Sequence, residues 1–421
     1  MSTDNLWDRG MEGEPEIDRP AGDLGLVMTG GGARAAYQVG VLRAIARRFP
    51  DLRIQIITGV SAGAINAVYL GCRNTSFAES VEGLANLWKS LRIEDVFRAD
   101  SPSLGKTVMK WGWRLLSGAP FKSTVRGMVD TAPLNTLLHH VLCTGNSNEI
   151  SGLSENLGTG KHRAVAVTTL NYTTGQTMTW VMGRGIELWE RPNRRSRHAR
   201  ITVDHIMASA ALPLIFPGVK LDGDWHGDGG VRLAAPLSPA LHLGARRILA
   251  MTTRYQKTFE EADRKQFRGY PAPMQVVGHL MNAIFLDVID QDALRLEKLN
   301  ALLKKLPVEE REGMREIDLL VLRPSVDLGR LAGDYEIELP GMLRHLLRGL
   351  GSKETSSPDF LSMLMFQADY LTRLIEIGEA DGEARIEEIA ALIEGRGAEP
   401  EVPPERPSSS SGAVPMAAAK P

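Results

Sequence analysis

Ser61 stands two residues from a glycine on either side, in Gly59-Val60-Ser61-Ala62-Gly63, and this G-x-S-x-G spacing is the chain's strongest chemical signal. The apolar run Ile54-Gln55-Ile56-Ile57 precedes it as a buried strand would, and a helix-forming run, Ala62 to Leu70, follows. Strand, sharp turn and helix together make a nucleophile elbow, which lifts a serine hydroxyl clear of a sheet at a helix N-terminus. Side chains at Gly59 and Gly63 would collide as strand and helix close around the turn. The helix N-terminus favours negative charge on the serine oxygen and on a tetrahedral intermediate. A serine ahead of a helix also serves simply as an N-cap, so the pentapeptide needs support from elsewhere.

Upstream, Leu24-Gly25-Leu26-Val27-Met28 reads as a short buried strand running into Thr29-Gly30-Gly31-Gly32-Ala33-Arg34-Ala35-Ala36. Tyr37, Val41, Leu42, Ile45 and Phe49 then give the buried side of a helix. Three consecutive glycines leave backbone N–H groups uncovered, able to form a nest for an anion. That anion is either a phosphate or the oxyanion of acyl transfer, which needs donors aimed at developing charge. A dinucleotide loop fits poorly. Ala35 replaces the last glycine of G-x-G-x-x-G, and no acidic residue closes a second strand about twenty residues on. A tight strand-to-helix turn without a ligand is the remaining alternative. Downstream, Asp228-Gly229-Gly230 follows a hairpin around Leu221-Asp222-Gly223-Asp224. Alone it is only a turn, but the serine needs a base.

Taken in order, the glycine loop, G-x-S-x-G and Asp-Gly-Gly resemble the patatin-like phospholipase family. Ala208-Ser209-Ala210-Ala211-Leu212-Pro213 with Phe216-Pro217 is similar to that family's S-A-A-x-P segment. Ala35, where patatins usually carry glycine, is matched by the related cytosolic phospholipases A2. The resemblance covers residues 23–330. It implies a Ser–Asp dyad of Ser61 and Asp228, with Gly59, Gly63, Gly229 and Gly230 as motif glycines. Ser61 would attack an acyl ester carbonyl. Asp228 would accept the serine proton and return it to the leaving alcohol, and water would then hydrolyse the acyl-enzyme. The likeness places the oxyanion donors among Gly30, Gly31, Gly32 and the backbone of Ala33 or Arg34. An ordinary Asp titrates near about 3.9 and is a poor base at neutral pH. Burial near the apolar 210–217 stretch is therefore expected to raise its proton affinity. The Arg34 side chain is either a partner for a phosphate headgroup or a first-turn surface arginine in a salt bridge.

Other chemistries compete. A Ser-His-acid triad would need a histidine among His205, His226, His242, His279 and His345, none of which has a clear strand-end loop setting. The series Asp222, Asp224, His226, Asp228 would share one face of a strand and resemble a metal site. Gly223, Gly227 and Gly229 instead favour a polar hairpin over a regular strand. No metal or other cofactor is expected; activity lost to EDTA and restored by a divalent ion would overturn this.

The positioning elements follow from pattern. Residues 1–22 read as a flexible polar tail. Helical patterns fill 77–91 and 103–117, and Thr131-Ala132-Pro133 reads as an N-cap and early proline opening a helix through Leu142. Residues 145–160 read as a Gly/Ser/Asn loop. Arg163 to Leu170 and Gln176 to Met182 form a hairpin around Thr173-Thr174-Gly175. A helix over 202–211, strands at Arg247 to Thr253 and Ile317 to Leu322, and a long helix from Met274 to Leu303 complete the pattern. The sum is an α/β protein: a three-layer α/β/α patatin-like fold with a mainly parallel central sheet. Residues 331–395 form a helical C-terminal extension, and the Pro/Ser/Ala-rich tail from 396 is disordered.

The 421 residues, 43% of them hydrophobic, suit a substantial core, and a net charge of −2 gives no global attraction to nucleic acid. The two cysteines, Cys72 and Cys143, have neither metal nor redox spacing and suit a reducing compartment. The polar N-terminus lacks a signal pattern, and no run of about eighteen apolar residues predicts a membrane span. A cytoplasmic protein with reversible contact on the inner membrane face is expected. Two stretches suit that contact. One is Lys106, Met109, Lys110, Trp111, Trp113, Arg114, Leu115 and Leu116, on a helix that either lies in a headgroup layer or packs on the core. The other is the cluster Arg191, Arg194, Arg195, Arg197, His198 and Arg200, which is either a lipid attractor or a solvated loop. The expected activity is lipid acyl hydrolysis of a phospholipid or other fatty-acyl ester. An acyltransferase of related architecture and a catalytically silent membrane-binding protein are the alternatives. Headgroup, acyl length and oligomeric state are not encoded in these motifs.

Overall fold

Apolar runs become central strands here because both of their faces are covered, as in parallel sheets generally. The structure is a computed structural model and describes residues 23–98, 127–143, 148–263, 288–335 and 359–396. The expected helix over 103–117 lies outside these residues. So do the tails 1–22 and 397–421, residues 274–287 of the long helix, and 336–358 of the C-terminal extension.

The strands are β1 (Asp23–Met28), β2 (Ile56–Val60), β3 (Ala164–Asn171), β4 (Thr177–Gly183), β5 (Glu190–Arg191), β6 (Arg194–His198), β7 (Val219–Leu221), β8 (Asp224–Asp228), β9 (Ala245–Met251) and β10 (Asp318–Leu322). They make one sheet in the order β10-β9-β1-β2-β3-β4-β6-β5. Pairing from β10 through β3 is parallel, and β3 with β4 is antiparallel. Side chains alternate between two apolar layers. Leu24, Leu26 and Met28 face the layer of α1 (Ala36–Arg48), α2 (Ala62–Cys72) and α3 (Phe77–Ser90). Val27, Ile248 and Ala250 face Leu237, Leu243, Ile289 and Leu296 on the other side. Helices therefore cover both faces of a mainly parallel sheet, the three-layer α/β/α patatin-like arrangement.

One end of β3 decides where chemistry can occur. Its edge towards β4 is occupied through Leu170, and β2 leaves the other edge after Val60 pairs with Thr168. β8 then takes up that vacated edge antiparallel, with Asp228 opposite Thr169. β8 is a regular strand, contrary to the expectation that glycines would break it. A Cβ on Gly227 would overlap the Tyr172 hydroxyl, so the Tyr172 ring packs directly on the strand backbone there. The turn before it is tight, with Asp222 and Gly223 both at positive φ.

Three local expectations are corrected. Residues 151–158 form a helix rather than a loop. Ile150, Leu153 and Leu157 give it a buried stripe, and Gly152 lets its backbone reach the Cys72 carbonyl of α2. Asn156 Nδ2 there donates to the Gly71 and Arg73 carbonyls at 2.8 and 2.9 Å, satisfying the end of α2. The helix Ala132–Leu142 begins where predicted, but Thr131 does not cap it; Asp130 Oδ1 accepts from Ala132 N at 2.9 Å instead. The basic cluster is not a loop but, Arg200 apart, lies on the edge strands β5 and β6. Part of its charge is neutralised by Arg195–Glu190, Arg197–Asp222 and Arg200–Glu149 pairs.

The helix Ala368–Ala384 lies against α1 at backbone contact. A Cβ on Gly40 would overlap the Ile375 carbonyl, and one on Gly378 would overlap that of Tyr37. Arg43 bridges the two helices to Glu379 at 2.6 Å and reaches Glu82 of α3 at 3.0 Å. Among the described residues no helix is long and apolar enough to cross a membrane.

Candidate active site

Ser61 is the residue at which β2 turns into α2, and its backbone shows the strain of that turn, with φ 56° and ψ −132°. A non-glycine residue so placed costs about 1–3 kcal/mol and persists only where its surroundings enforce it. The enforcement is visible. A Cβ on Gly59 would overlap the Gly63 carbonyl, and one on Gly63 would overlap the carbonyl of Met28 at the end of β1. Ser61 N–H donates to Ser209 Oγ at 2.9 Å, and Ser209 Oγ donates to the Thr168 carbonyl at 2.7 Å. Ser209 belongs to the Ser-Ala-Ala segment, yet its spacing gives no hint that it pins the elbow.

Ser61 Oγ donates to Asp228 Oδ2 at 2.6 Å. Asp228 is fully buried, and its other oxygen accepts from Gly230 N at 2.8 Å. Gly229 lies flat on β3, where a Cβ would overlap the Thr168 carbonyl. Burial raises the Asp228 carboxyl from its ordinary value to about 7, although the Ser61 and Gly230 hydrogen bonds pull the other way. The flanking Ala211 carbonyl accepts from Asp228 N at 3.1 Å, so the 210–217 stretch does pack where expected.

The glycine loop lies over this pair. A Cβ on Gly30 would stand 2.9 Å from Ser61 Cβ and 3.5 Å from its Oγ. Gly31 and Gly32 have φ of 152° and 56°, so both need glycine. Thr253 Oγ1, two residues past the end of β9, donates to the Gly30 carbonyl at 3.0 Å and holds the loop. Arg34 N–H is taken by the Gly31 carbonyl at 3.2 Å, while Ala33 is fully buried beside it. A buried chain supports the loop from behind. Gln38 Nε2 donates to the Thr29 carbonyl at 2.8 Å, Asn66 Nδ2 to Gln38 Oε1 at 3.1 Å, and Trp88 Nε1 to Asn66 Oδ1 at 2.8 Å.

The Arg34 side chain is not on the surface. It is 2% exposed, with Nε donating to Ser362 Oγ at 2.6 Å. Beside Ser61 opens an apolar cleft, with Ile65, Trp88, Leu134, Leu212 and Phe366 in its walls. No charged side chain is among the described residues that line it. Met363, Leu364 and Phe366 come from beyond the resemblance, and no sequence signal marks them as walls.

The candidate histidines among the described residues are otherwise engaged. His205 Nδ1 meets Thr202 Oγ1 at 2.9 Å in a helix cap, and burial lowers the ring to about 4. His226 Nδ1 meets Thr169 Oγ1 at 3.0 Å, and His242 stacks on Trp189. His279 and His345 lie outside the described residues. No group of three or more His, Cys, Asp or Glu among the described residues is placed to hold a metal ion.

A search of curated proteins finds no match. Among solved structures, human GIVD cytosolic phospholipase A2 in complex with methyl γ-linolenyl fluorophosphonate matches at 15% identity and a TM-score of 0.42, over 90% of this chain and 60% of that one. VipD from Legionella pneumophila matches at 12% identity and 0.30, over 82% and 66%. The type III effector ExoU matches at 14% and 0.29, over 85% and 54%. The model of the patatin-like phospholipase family matches residues 26–241, more than half of the chain. The protein thus belongs to the patatin-like phospholipase family.

Proposed function

We propose that this chain is a lipid acyl hydrolase working through a Ser61–Asp228 dyad. The observation that carries the reading is the buried 2.6 Å hydrogen bond between those side chains, at the edge of an apolar cleft. The acyl chain of a phospholipid or other fatty-acyl ester occupies the cleft, whose described lining carries no charged side chain. Ser61 Oγ attacks the carbonyl carbon while its proton passes to Asp228 Oδ2. The carbonyl oxygen, now an oxyanion, takes hydrogen bonds from N–H groups of Gly31, Gly32 and Ala33, a contribution worth about 2.7–4 kcal/mol of barrier per donor. Collapse breaks the ester bond, and the leaving alcohol takes the proton from Asp228. Water attacks the acyl-Ser61 carbonyl, gives its proton to Asp228, and releases the fatty acid as Ser61 recovers its own. A carboxyl raised to about 7 is matched to this duty near neutral pH.

The free thiols of Cys72 and Cys143 support a reducing, cytoplasmic setting. Transient contact with a membrane would bring the substrate, and β5–β6 would supply part of the cationic face. Anionic vesicle binding that survives replacement of Arg191 and Arg194 would remove that face from the proposal.

The test is hydrolysis of short-chain p-nitrophenyl esters and mixed phospholipid vesicles by the wild type, Ser61→Ala and Asp228→Asn. Fatty acid release by the native protein alone, with both variants folded, is the expected result. An inert native protein, or full activity in Asp228→Asn, would overturn it and favour acyl transfer to a carrier or a silent binding role.

A further inference from the structure

The glycine loop does not stand alone on the sheet. Its outer side is seated on the C-terminal segment Asp359–Leu364, more than 300 residues away in sequence. Gly32, at φ 56°, presses so closely on Met363 that a Cβ would fall on the Met363 carbonyl oxygen. Two residues beyond Gly32 and one before Met363, Arg34 Nε donates to Ser362 Oγ at 2.6 Å, and Ser362 is wholly buried. Tyr370, also fully buried, donates its hydroxyl to the Leu328 carbonyl at 3.0 Å and lies near Arg34. The following helix, Ala368–Ala384, is the one in backbone contact with α1, which itself begins where the loop ends. Phe366, between segment and helix, stacks on Trp88 with ring centroids 6.4 Å apart and forms part of the cleft wall.

We propose that Arg34 and Ser362 form a buried clamp that holds the oxyanion loop in register with Ser61, making the C-terminal segment part of the catalytic unit. The inference rests on the hydrolase reading above. Arg34 is here a positioning residue, acting through the backbone of Gly31, Gly32 and Ala33. A planar guanidinium fixed by a buried hydroxyl defines the orientation of the turn that carries it. The Gly32–Met363 contact sets the spacing of the loop, and the clamp sets its rotation. Misplacement of donors by as little as about 1 Å costs on the order of a hundredfold in rate.

Ser362→Ala removes the acceptor with the least change of volume; Arg34→Met removes the donor while keeping a long side chain. Both are compared with wild type in thermal unfolding, in kcat and KM on a p-nitrophenyl ester and on phosphatidylcholine vesicles, and in the rate at which a fluorophosphonate labels Ser61. Labelling needs the oxyanion loop but no turnover. The clamp predicts that folded Ser362→Ala labels Ser61 about ten- to a hundredfold more slowly. It also loses kcat by a similar factor on both substrates, with KM little changed. Wild-type labelling rates in folded Ser362→Ala overturn the proposal. So does a loss in Arg34→Met confined to phosphate-bearing substrate, which would make Arg34 a headgroup ligand. If the wild type labels at Ser61 but hydrolyses no ester, the hydrolase reading fails and the labelling comparison alone decides the clamp.

Discussion

Asp228 supplies the most informative perturbation, because its environment couples activity and stability to one proton. The carboxyl has no solvent exposure, and burial raises it from 3.8 to about 7. Between those two values the native chain holds a proton that the unfolded chain has lost. Stability from this group is therefore fully present at a pH below 3.8 and is lost as pH rises through about 7. Three units correspond to about 4 kcal/mol. Activity runs the other way, since only the carboxylate can accept the Ser61 proton. Below about pH 7, kcat/KM falls close to tenfold per unit, reaching roughly a hundredth of its plateau near pH 5. The assay is kcat/KM on a soluble ester across this range, paired with urea unfolding of the wild type and Asp228→Asn. Subtracting the variant isolates this group from other titrations. Asp228→Asn is inactive and more stable than wild type at about pH 8 by up to about 4 kcal/mol, and the difference closes as pH falls towards 4. Ser61→Ala deletes a hydrogen bond that favours the carboxylate, so the titration seen in its unfolding moves further upward. An acid limb near pH 4 with no stability difference would refute the reasoning, because Asp228 would then behave as a solvated carboxylate.

Gly32→Ala places a Cβ on the Met363 carbonyl at a positive φ, so it destabilises by at least about 1–3 kcal/mol and slows Ser61 labelling; calorimetry and fluorophosphonate kinetics measure both. Phe366→Ala opens the cleft wall beside Trp88, costs about 3–5 kcal/mol in chemical unfolding, and lowers turnover of long-chain esters more than short-chain ones. Asn66→Leu leaves Gln38 and Trp88 Nε1 without their shared partner, costing about 1–3 kcal/mol in the same unfolding assay.

Much of the site is legible in the sequence because it is built from local necessity. Gly59 and Gly63 are glycines since strand and helix leave no room around Ser61, and Gly31 and Gly32 since only glycine takes their backbone angles comfortably. Asp-Gly-Gly carries its own reason in Gly229 against Thr168 and Gly230 N–H on the carboxylate. What stays hidden is assembled from distant parts of the chain. Ser209, Thr253 and the Gln38–Asn66–Trp88 chain act by hydrogen bonds across elements, which leave no spacing to read. Met363 and Phe366 look like ordinary apolar residues until the helix after them meets α1. The helix 151–158 was masked by Gly, Ser and Asn composition, although its buried Leu153 and Leu157 decide its conformation. Arg34 misleads for a related reason, since nothing in its first-turn position announces a buried hydrogen bond to Ser362, more than 300 residues on.

The central claim is that Ser61 forms the acyl-enzyme with Asp228 as its base, and the most direct measurement is mass spectrometry of protein quenched during turnover of a slowly deacylating p-nitrophenyl ester. The account predicts one acyl adduct on the Ser61 peptide of the wild type, none on Ser61→Ala, and strongly reduced formation on Asp228→Asn. Ester turnover without an adduct, an adduct on another residue, or undiminished acylation of Asp228→Asn would contradict it.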